Sequence, residues 1–580
     1  MKASKKRGFT IIELVIVIAV IAILAAVLIP TFANIIQKAN VANDVALARN
    51  MNTILIADEA TSGRSTDMYD VLIALEQGGF KLENLNPRAD GNVFAWDKAN
   101  NQIVYLDKKN PDKPIFQAKE IGANKGDLYI TTRKAEVFAD YPGYSYYFAS
   151  DISGNITLDE GSCLDTGEFA LTGNVSVVTK KDVEIHGTIN GTITVDSTSG
   201  KITNYSVVKN VVIKNTAPTS YHERGHVVEA MEIQNSLTGK VVLENDAYVE
   251  KLTNNKTNGT VESKGYVKAV DGSDTETVKP TTGTGYVLEI GTYDQLVNFR
   301  NKVNAGASYS GMTVKLTADI DISERAWTPI GAKHREKINA DSNVFQGTFD
   351  GQNHKITGLT NTGFMISSAY KGWNETTPKD YNEYVFGLFG SVYNATIKNI
   401  VMANVNIDLA CDEKERVVGD SIGAIVGFAA GDSKGVTIDN CKVLSGSIVG
   451  YDAVAGIIGR TYSANTTISN CANAATVTAI RRAGGILGFA SLQKGATSVA
   501  ITGCKNSGNV KQTGTPTTDP AEKGQEGNYG YYMVAGLAIY QRGTSLEKVI
   551  AITDSSNTGT VTLTVPAGEG KNKDNTVWYY

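Results

Sequence analysis

The sequence predicts a multidomain chain: an N-terminal long α-helix with a small α+β head, a β-rich middle domain, and a C-terminal right-handed parallel β-helix. Three observations carry this. A long apolar run opens the chain, short alternating segments fill its middle, and one pattern recurs five times towards its end. With 580 residues the chain is several times a typical domain of ~150 residues. Hydrophobic residues make up 42%, which excludes disorder along the whole length. Only 12 residues are Pro, which excludes a collagen or a Pro-rich stalk. Gly is enriched at 57 residues. A net charge of −5 supplies no cationic surface for nucleic acid. The five Cys, an odd number, do not form a disulfide scaffold.

The opening run is the most informative stretch. Lys2, Lys5, Lys6 and Arg7 precede an apolar segment from Phe9 to Ile29, in which only Thr10 and Glu13 are polar. At ~1.5 Å per residue this segment spans ~30 Å, enough to cross a bilayer. The preceding cations keep that end cytoplasmic. A secretory signal has a shorter apolar core and a small-residue cleavage site after it; here Gly8 stands before the run. A carboxylate inside a membrane segment costs ~2.5–3.5 kcal/mol on insertion scales, so Glu13 marks a function.

This stretch closely resembles the class III signal of type IV prepilins: a short basic leader ending in Gly, then Phe-Thr, then Glu at the fifth mature position. The resemblance implies cleavage by prepilin peptidase between Gly8 and Phe9 and N-methylation of the new Phe9 amine. Glu13 is then the partner of that amine on a neighbouring subunit. Two charges that are each expensive in lipid offset one another when paired, and the pairing sets the register between helices. Residues 1–8 are thus read as the leader and 9–60 as the transmembrane and assembly helix. Losing the leader removes four of the 55 cations, leaving 51 against 60 acids, net −9.

Pro30 follows the apolar run, as in many pilins, and is expected to kink or loosen the helix. The mid-helix Gly common in the family is missing, with none between Phe9 and Gly63. Beyond Pro30, Val41, Val45, Ala48, Met51 and Leu55 recur at three- to four-residue spacing, an amphipathic stripe suited to packing on a head domain.

Residues 61–135 are expected to form that pilin-like head. Within them, 66–80 read as a short helix closed by Gly78-Gly79, and VFAW and QIVYL as a hairpin around Asp97–Asn101. From 136 to 268, segments such as DVEIHG, NVVIKN and KVVLEN alternate apolar and polar residues at roughly ten-residue spacing. Both a β-sandwich and a small β-solenoid fit them. His222-Glu223-Arg224-Gly225-His226 spells the zinc-protease motif H-E-x-x-H, which needs a helix to place two His on one face. Pro218, the flanking strand patterns and Gly225 oppose a helix. His222, Glu223 and His226 are therefore read as an exposed turn, and no metal site is assigned. Residues 269–285, rich in Gly, Ser, Thr and Asp, read as a linker.

The segment 286–580 contains the repeats. Ile397-x-x-Ile400, Ile438-x-x-Cys441, Ile468-x-x-Cys471, Ile501-x-x-Cys504 and Ile552-x-x-Ser555 are five copies of one pattern. The last three continue through Asn473/Val477, Asn506/Val510 and Asn557/Val561, and a Gly-rich apolar phrase precedes every copy. Short strands repeating every 30 residues or so cannot bury an apolar face alone; stacked coils at ~4.8 Å can. Cys441, Cys471 and Cys504 then form a column of small buried side chains, with Ile400 and Ser555 on equivalent rungs. Residues 292–306 predict a helix capping the first coil and protecting its edge. The phrases resemble GLUG-type repeats of bacterial surface adhesins.

Carboxylates for polysaccharide cleavage are sparse: Asp319, Asp321, Asp350 and His354 are the nearest set, in strand and turn patterns. Trp327, Trp373, Tyr381 and Tyr384 are the aromatic residues available for sugar stacking.

The resemblances together imply a minor or tip subunit of a type IV pilus-like filament that displays an adhesive β-helix. A head of roughly five hundred residues would crowd a filament if every subunit carried one. Implied partners are prepilin peptidase, other pilin subunits, the cytoplasmic membrane before assembly, and a glycan or host-surface ligand. No cofactor, no enzyme activity and no nucleic-acid partner are expected. The alternatives are a type II secretion pseudopilin-like component and a pilin-tethered polysaccharide-acting enzyme.

Overall fold

A computed structural model describes residues 11–564 except 62, 66, 82–85, 160, 197–198, 215–219, 235–236, 238, 257–259, 324, 333–337, 362–365, 371–378, 384, 410–419, 492–497, 515–532 and 542–548. The chain forms two compact units. One comprises Met1–His222, Glu232–Val241 and Asn255–Thr260; the other comprises Glu223–Met231, Val242–Asn254 and Val261–Tyr580. The division falls inside the middle β region.

In the first unit, α1 (Ile11–Thr61) is continuous over 51 residues with Pro30 inside it, a length of about 76 Å. Pro30 does not end the helix, although a proline removes one helical hydrogen bond. The expected second helix is α2 (Met68–Gln77), where Asp67 caps the start by accepting from Asp70 N–H and Gly78 caps the end. Val71, Leu72 and Leu75 of α2 bury against Ala48, Met51 and Leu55 of α1. The predicted hairpin is β1 (Val93–Asp97) and β2 (Gln102–Leu106), antiparallel from Val93↔Leu106 to Asp97↔Gln102. β3 (Leu128–Thr132) adds antiparallel to β1.

From β4 (Ser145–Phe148) onward the pairing in this unit turns parallel. β5 (Cys163–Thr172) pairs with β4, β6 (Val183–Val195) with β5, and both β7 (Ile202–Asn204) and β8 (Val207–Ile213) with β6. Partners are 18 to 21 residues apart, as in Tyr146↔Leu164, Cys163↔Glu184 and Ile213↔Val195. Leu164, Ile185, Ile193, Val211 and Ile213 are buried, while alternate residues point to the opposite face. Of the two architectures left open by sequence, these parallel ladders match the solenoid type, because a sandwich is built of antiparallel sheets.

In the second unit Tyr248–Asn254 pairs parallel with Tyr266–Asp271. Residues 272–285 have irregular backbone, but they are not a free tether. Thr281 N–H donates to Val267 O, Asp274 N–H to Asn254 O, and Val278 is buried; its single apolar side chain and these hydrogen bonds hold the segment down.

The helix Tyr293–Asn304, capped by Thr292, buries Leu296, Phe299 and Val303. They join a continuous apolar cluster with Leu288, Val314, Phe349 and Ile397. From here five parallel sheets of five to eight strands run side by side in sequence order. One aligns Phe349↔Ile397↔Ile438↔Ile468↔Ile501↔Ile552. A second aligns Ile407↔Ile448↔Val477↔Val510↔Val561. Each repeat copy therefore lies directly on its neighbour.

Polar groups inside these ladders satisfy one another. Asn473 Nδ2 donates to Asn506 Oδ1 (2.8 Å) and Asn506 Nδ2 to Asn557 Oδ1 (2.7 Å). The residue before each Cys-type rung is left-handed: Asn399, Asn440, Asn470, Gly503 and Asp554, with φ from 49° to 65°. These are the residue types that tolerate that conformation. Cys441, Cys471 and Cys504 are all buried, and successive rungs are tied by Ala472 N–H to Cys441 O and Lys505 N–H to Cys471 O. Deeper still, Asp452 accepts from Arg460 (2.9 Å) and twice from Arg482 (2.6 Å each), all three side chains being buried. The Arg482 and Arg460 guanidiniums also lie over Phe489, at 4.0 and 5.0 Å from its ring centroid.

Candidate functional site

The described part of α1 divides into two halves of opposite character. Ile11 is 82% exposed and Ile36 58% exposed, with Leu14, Val17, Ile21, Leu24, Leu28 and Phe32 exposed between them. It is the one helix, among the described residues, long and apolar enough to cross a membrane. None of the described residues covers that surface. About 25 cal/mol per Å2 favours removing it from water, so lipid or another protein surface is its stable environment.

The second half is anchored to the head by polar side chains as well as by the apolar stripe. Asp44 is buried; its carboxylate accepts from Arg88 N–H (2.8 Å), Ala89 N–H (2.9 Å) and the Tyr105 hydroxyl (2.8 Å). Asn52 donates to Ile103 O (2.8 Å) and accepts from Ile103 N–H (2.7 Å), pairing with the β2 backbone as a neighbouring strand would. Asn101 reaches Glu59 from the hairpin turn (2.9 Å). Sequence reasoning missed Asp44 and Asn52. Their only signal was polarity beside the apolar stripe, which also describes an ordinary solvated face.

Gly8 and Phe9 lie outside the described residues. Glu13 is in the first turns of α1.

The H-E-x-x-H letters fall on a strand (Ser220–Glu223), a short turn and the next strand (His226–Ile233). The helix that zinc-protease chemistry requires is replaced by extended chain. The expectation of an exposed turn needs correction, since Glu223 and His226 are both buried. Glu223 Oε1 accepts from Gly225 N–H (2.7 Å) and so closes the turn. His226 packs edge-on against Tyr248, centroids 4.9 Å apart, and neither ring nitrogen makes a hydrogen bond of ordinary geometry. Burial, with Lys302 second, pushes its pKa down to about 3. Lys302 itself is buried on the capping helix, donating to Arg224 O (2.6 Å) and Asp246 O; burial lowers its pKa to about 8.

The candidate saccharide residues also change meaning. Trp327 is buried, donates to Leu388 O (3.1 Å) and carries Arg300 over its ring, so it is core rather than a stacking surface. Trp373 and Tyr384 lie outside the described residues, and Tyr381 is on the strand Lys379–Glu383. Asp319 accepts from Lys355 N–H and meets His354 at 3.2 Å; Asp350 accepts from Gln352 N–H and Asn399. Both carboxylates pin turns.

Comparison with known proteins bears directly on the first half of α1. Residues 3–29 match the prokaryotic N-terminal methylation motif. The chain is 35% identical over 94 residues to the type IV major fimbrial protein FimA of Dichelobacter nodosus strain VCS1703A, covering 16% of this chain and 57% of that protein. A further Dichelobacter nodosus FimA is 43% identical over 67 residues, 12% of this chain and 41% of that protein. The chain thus spans about half the length of the curated relatives it matches. No solved structure matches it. The motif and the fimbrial similarity support a prepilin-like protein whose long apolar helix is consistent with membrane anchoring.

Proposed function

We propose that the chain is a minor or tip subunit of a type IV pilus-like filament, processed between Gly8 and Phe9, and that its stacked repeats form a right-handed parallel β-helix presented at the cell surface for adhesion. The observation that carries the reading is the apolar surface of residues 11–36, exposed within the chain and overlapping the methylation motif of residues 3–29. Prepilin peptidase and other pilin subunits are the implied partners. Glu13 pairs with the Phe9 amine of a neighbour, and the exposed helix packs among equivalent helices.

Right-handedness follows from the general rule for parallel crossovers. The adhesive role is supported by architecture: a rigid ladder places its loops at fixed positions on the outside of the stack. The ladder interior is closed by apolar columns, and the carboxylates nearest an enzyme's pattern are engaged in turns, which favours display over catalysis. A glycan or other surface component is the proposed class of ligand.

The N-terminal mass of chain recovered from sheared filaments tests this reading. A mature terminus at N-methylated Phe9 is expected in wild type, with Gly8→Asp retaining the leader and staying in the membrane fraction. Filament-borne chain beginning at Met1 would contradict it.

A further inference from the structure

The parallel ladder of the first unit places three different metal-ligating side chains on one outer face. Cys163 on β5 is the register partner of Glu184 on β6, and Asp165 is the partner of His186. Because side chains two apart on a strand share a face, Cys163, Asp165, Glu184 and His186 form a compact square. The Cys163 sulfur, a Glu184 carboxylate oxygen and a His186 ring nitrogen all lie within 4.8 Å of one another, and His186 Nε2 stands 3.5 Å from Glu184 Oε2. About 3.3–3.8 Å separates donors around a tetrahedral ion with bonds of 2.0–2.3 Å, so small side-chain rotations bring the three onto one centre.

We propose that Cys163, Glu184 and His186 bind one zinc ion. The donor set selects the metal: thiolate and imidazole are too soft for Ca2+ or Mg2+, whereas sulfur, nitrogen and a carboxylate oxygen are all ordinary zinc ligands. Three protein ligands leave a fourth position for water. Asp165 Oδ1 already accepts from Gly167 N–H (2.8 Å), so it adds negative charge beside the ion without being needed as a ligand. The His186 ring lies flat on Tyr205, centroids 4.5 Å apart and 10° between planes; this fixes the imidazole, as supporting groups do around established metal ligands. Lys98 and Lys201 bring positive charge to the same face, and the ion must compete with them for Glu184. On binding, the Cys163 thiol gives its proton to solvent as the sulfur–metal bond forms. The half-exposed positions of Glu184 and His186 give the ion a way in.

This site is separate from the H-E-x-x-H letters and independent of the filament reading. The test uses full-length chain in detergent, reduced and stripped of metal, titrated with Co2+ as a spectroscopic stand-in and then with Zn2+. One equivalent of Co2+ should produce a thiolate-to-cobalt charge-transfer band that Zn2+ abolishes. Cys163→Ser should lose the band with unchanged circular dichroism. His186→Ala and Glu184→Gln should each weaken binding more than about 10-fold, and His354→Ala should not weaken it. Absence of the band at stoichiometric Co2+ in folded wild-type chain, or its survival in Cys163→Ser, would overturn the assignment.

Discussion

Residues 11–36 and the repeats from Thr396 to Thr562 are both built from Ile, Val and Ala, yet they dispose of that surface in opposite ways. On the helix the apolar side chains stay exposed. In the ladders Ile397, Ile438, Ile468 and Ile501 each meet a copy of themselves and are fully buried. The composition is shared; the difference is multiplicity. A strand that recurs at regular spacing finds its partner within the chain. The apolar half of α1 meets no second layer among the described residues and is left for lipid or for another chain. The last rung illustrates the same rule, since Ile552 and Val561, with a copy on one side only among the described residues, are 42% and 41% exposed.

The repeats depend on internal satisfaction, so the largest effect should come from breaking it. Asp452→Ala leaves Arg460 and Arg482 buried without their carboxylate, and should destabilise the second unit by about 3–5 kcal/mol, read as a lowered urea midpoint. A loss below ~1 kcal/mol would mean that the remaining contacts, among them Arg460 to Ser421 and Asp420 O and both guanidiniums over Phe489, hold them without the carboxylate.

The helix depends on its junction with the head. Asp44→Ala leaves two backbone N–H groups and the Tyr105 hydroxyl proton without their acceptor, and should cost about 2–3 kcal/mol. Proteolysis within 86–92 should accelerate in step. Unchanged protection would show that the apolar stripe alone seats the helix.

His226 provides a pH test of burial in the second unit. Its folded pKa of about 3 lies below the ordinary value of 6.5. Between those values the unfolded chain binds a proton that the folded chain does not, so this contribution is complete above about pH 6.5 and is lost as pH falls. The slope is about 1.4 kcal/mol per pH unit near pH 4–5. In His226→Phe that slope should flatten, measured by denaturant unfolding from pH 7 to 4. An identical pH dependence in both proteins would place the titration elsewhere.

Much of this was legible in the sequence because periodicity is a direct record of stacking. The spacing of the Ile-x-x-Cys copies equals the register of the ladders, and Asn473, Asn506 and Asn557 coincide with a hydrogen-bonded column. The helix, the hairpin and the 293–304 cap were likewise marked by apolar spacing and end signals. What stayed hidden were contacts between residues far apart in the chain. Asp44 meeting Arg88 and Tyr105, Trp327 turning inward beneath Arg300, and His226 buried in a motif that reads as a polar turn all depend on partners that no local pattern names. The same is true of Cys163 and His186, which only the parallel register brings onto one face.

The central claim is that the exposed helix is an assembly surface whose register is set by Glu13. Its most direct test is the amount of full-length chain in sheared filaments against the amount in membranes, for wild type and Glu13→Ala. The account predicts normal membrane insertion and at least a ~10-fold loss from filaments, since one neutralised buried charge pair costs more than the ~1.4 kcal/mol that a factor of ten requires. Equal incorporation of the two proteins would contradict it.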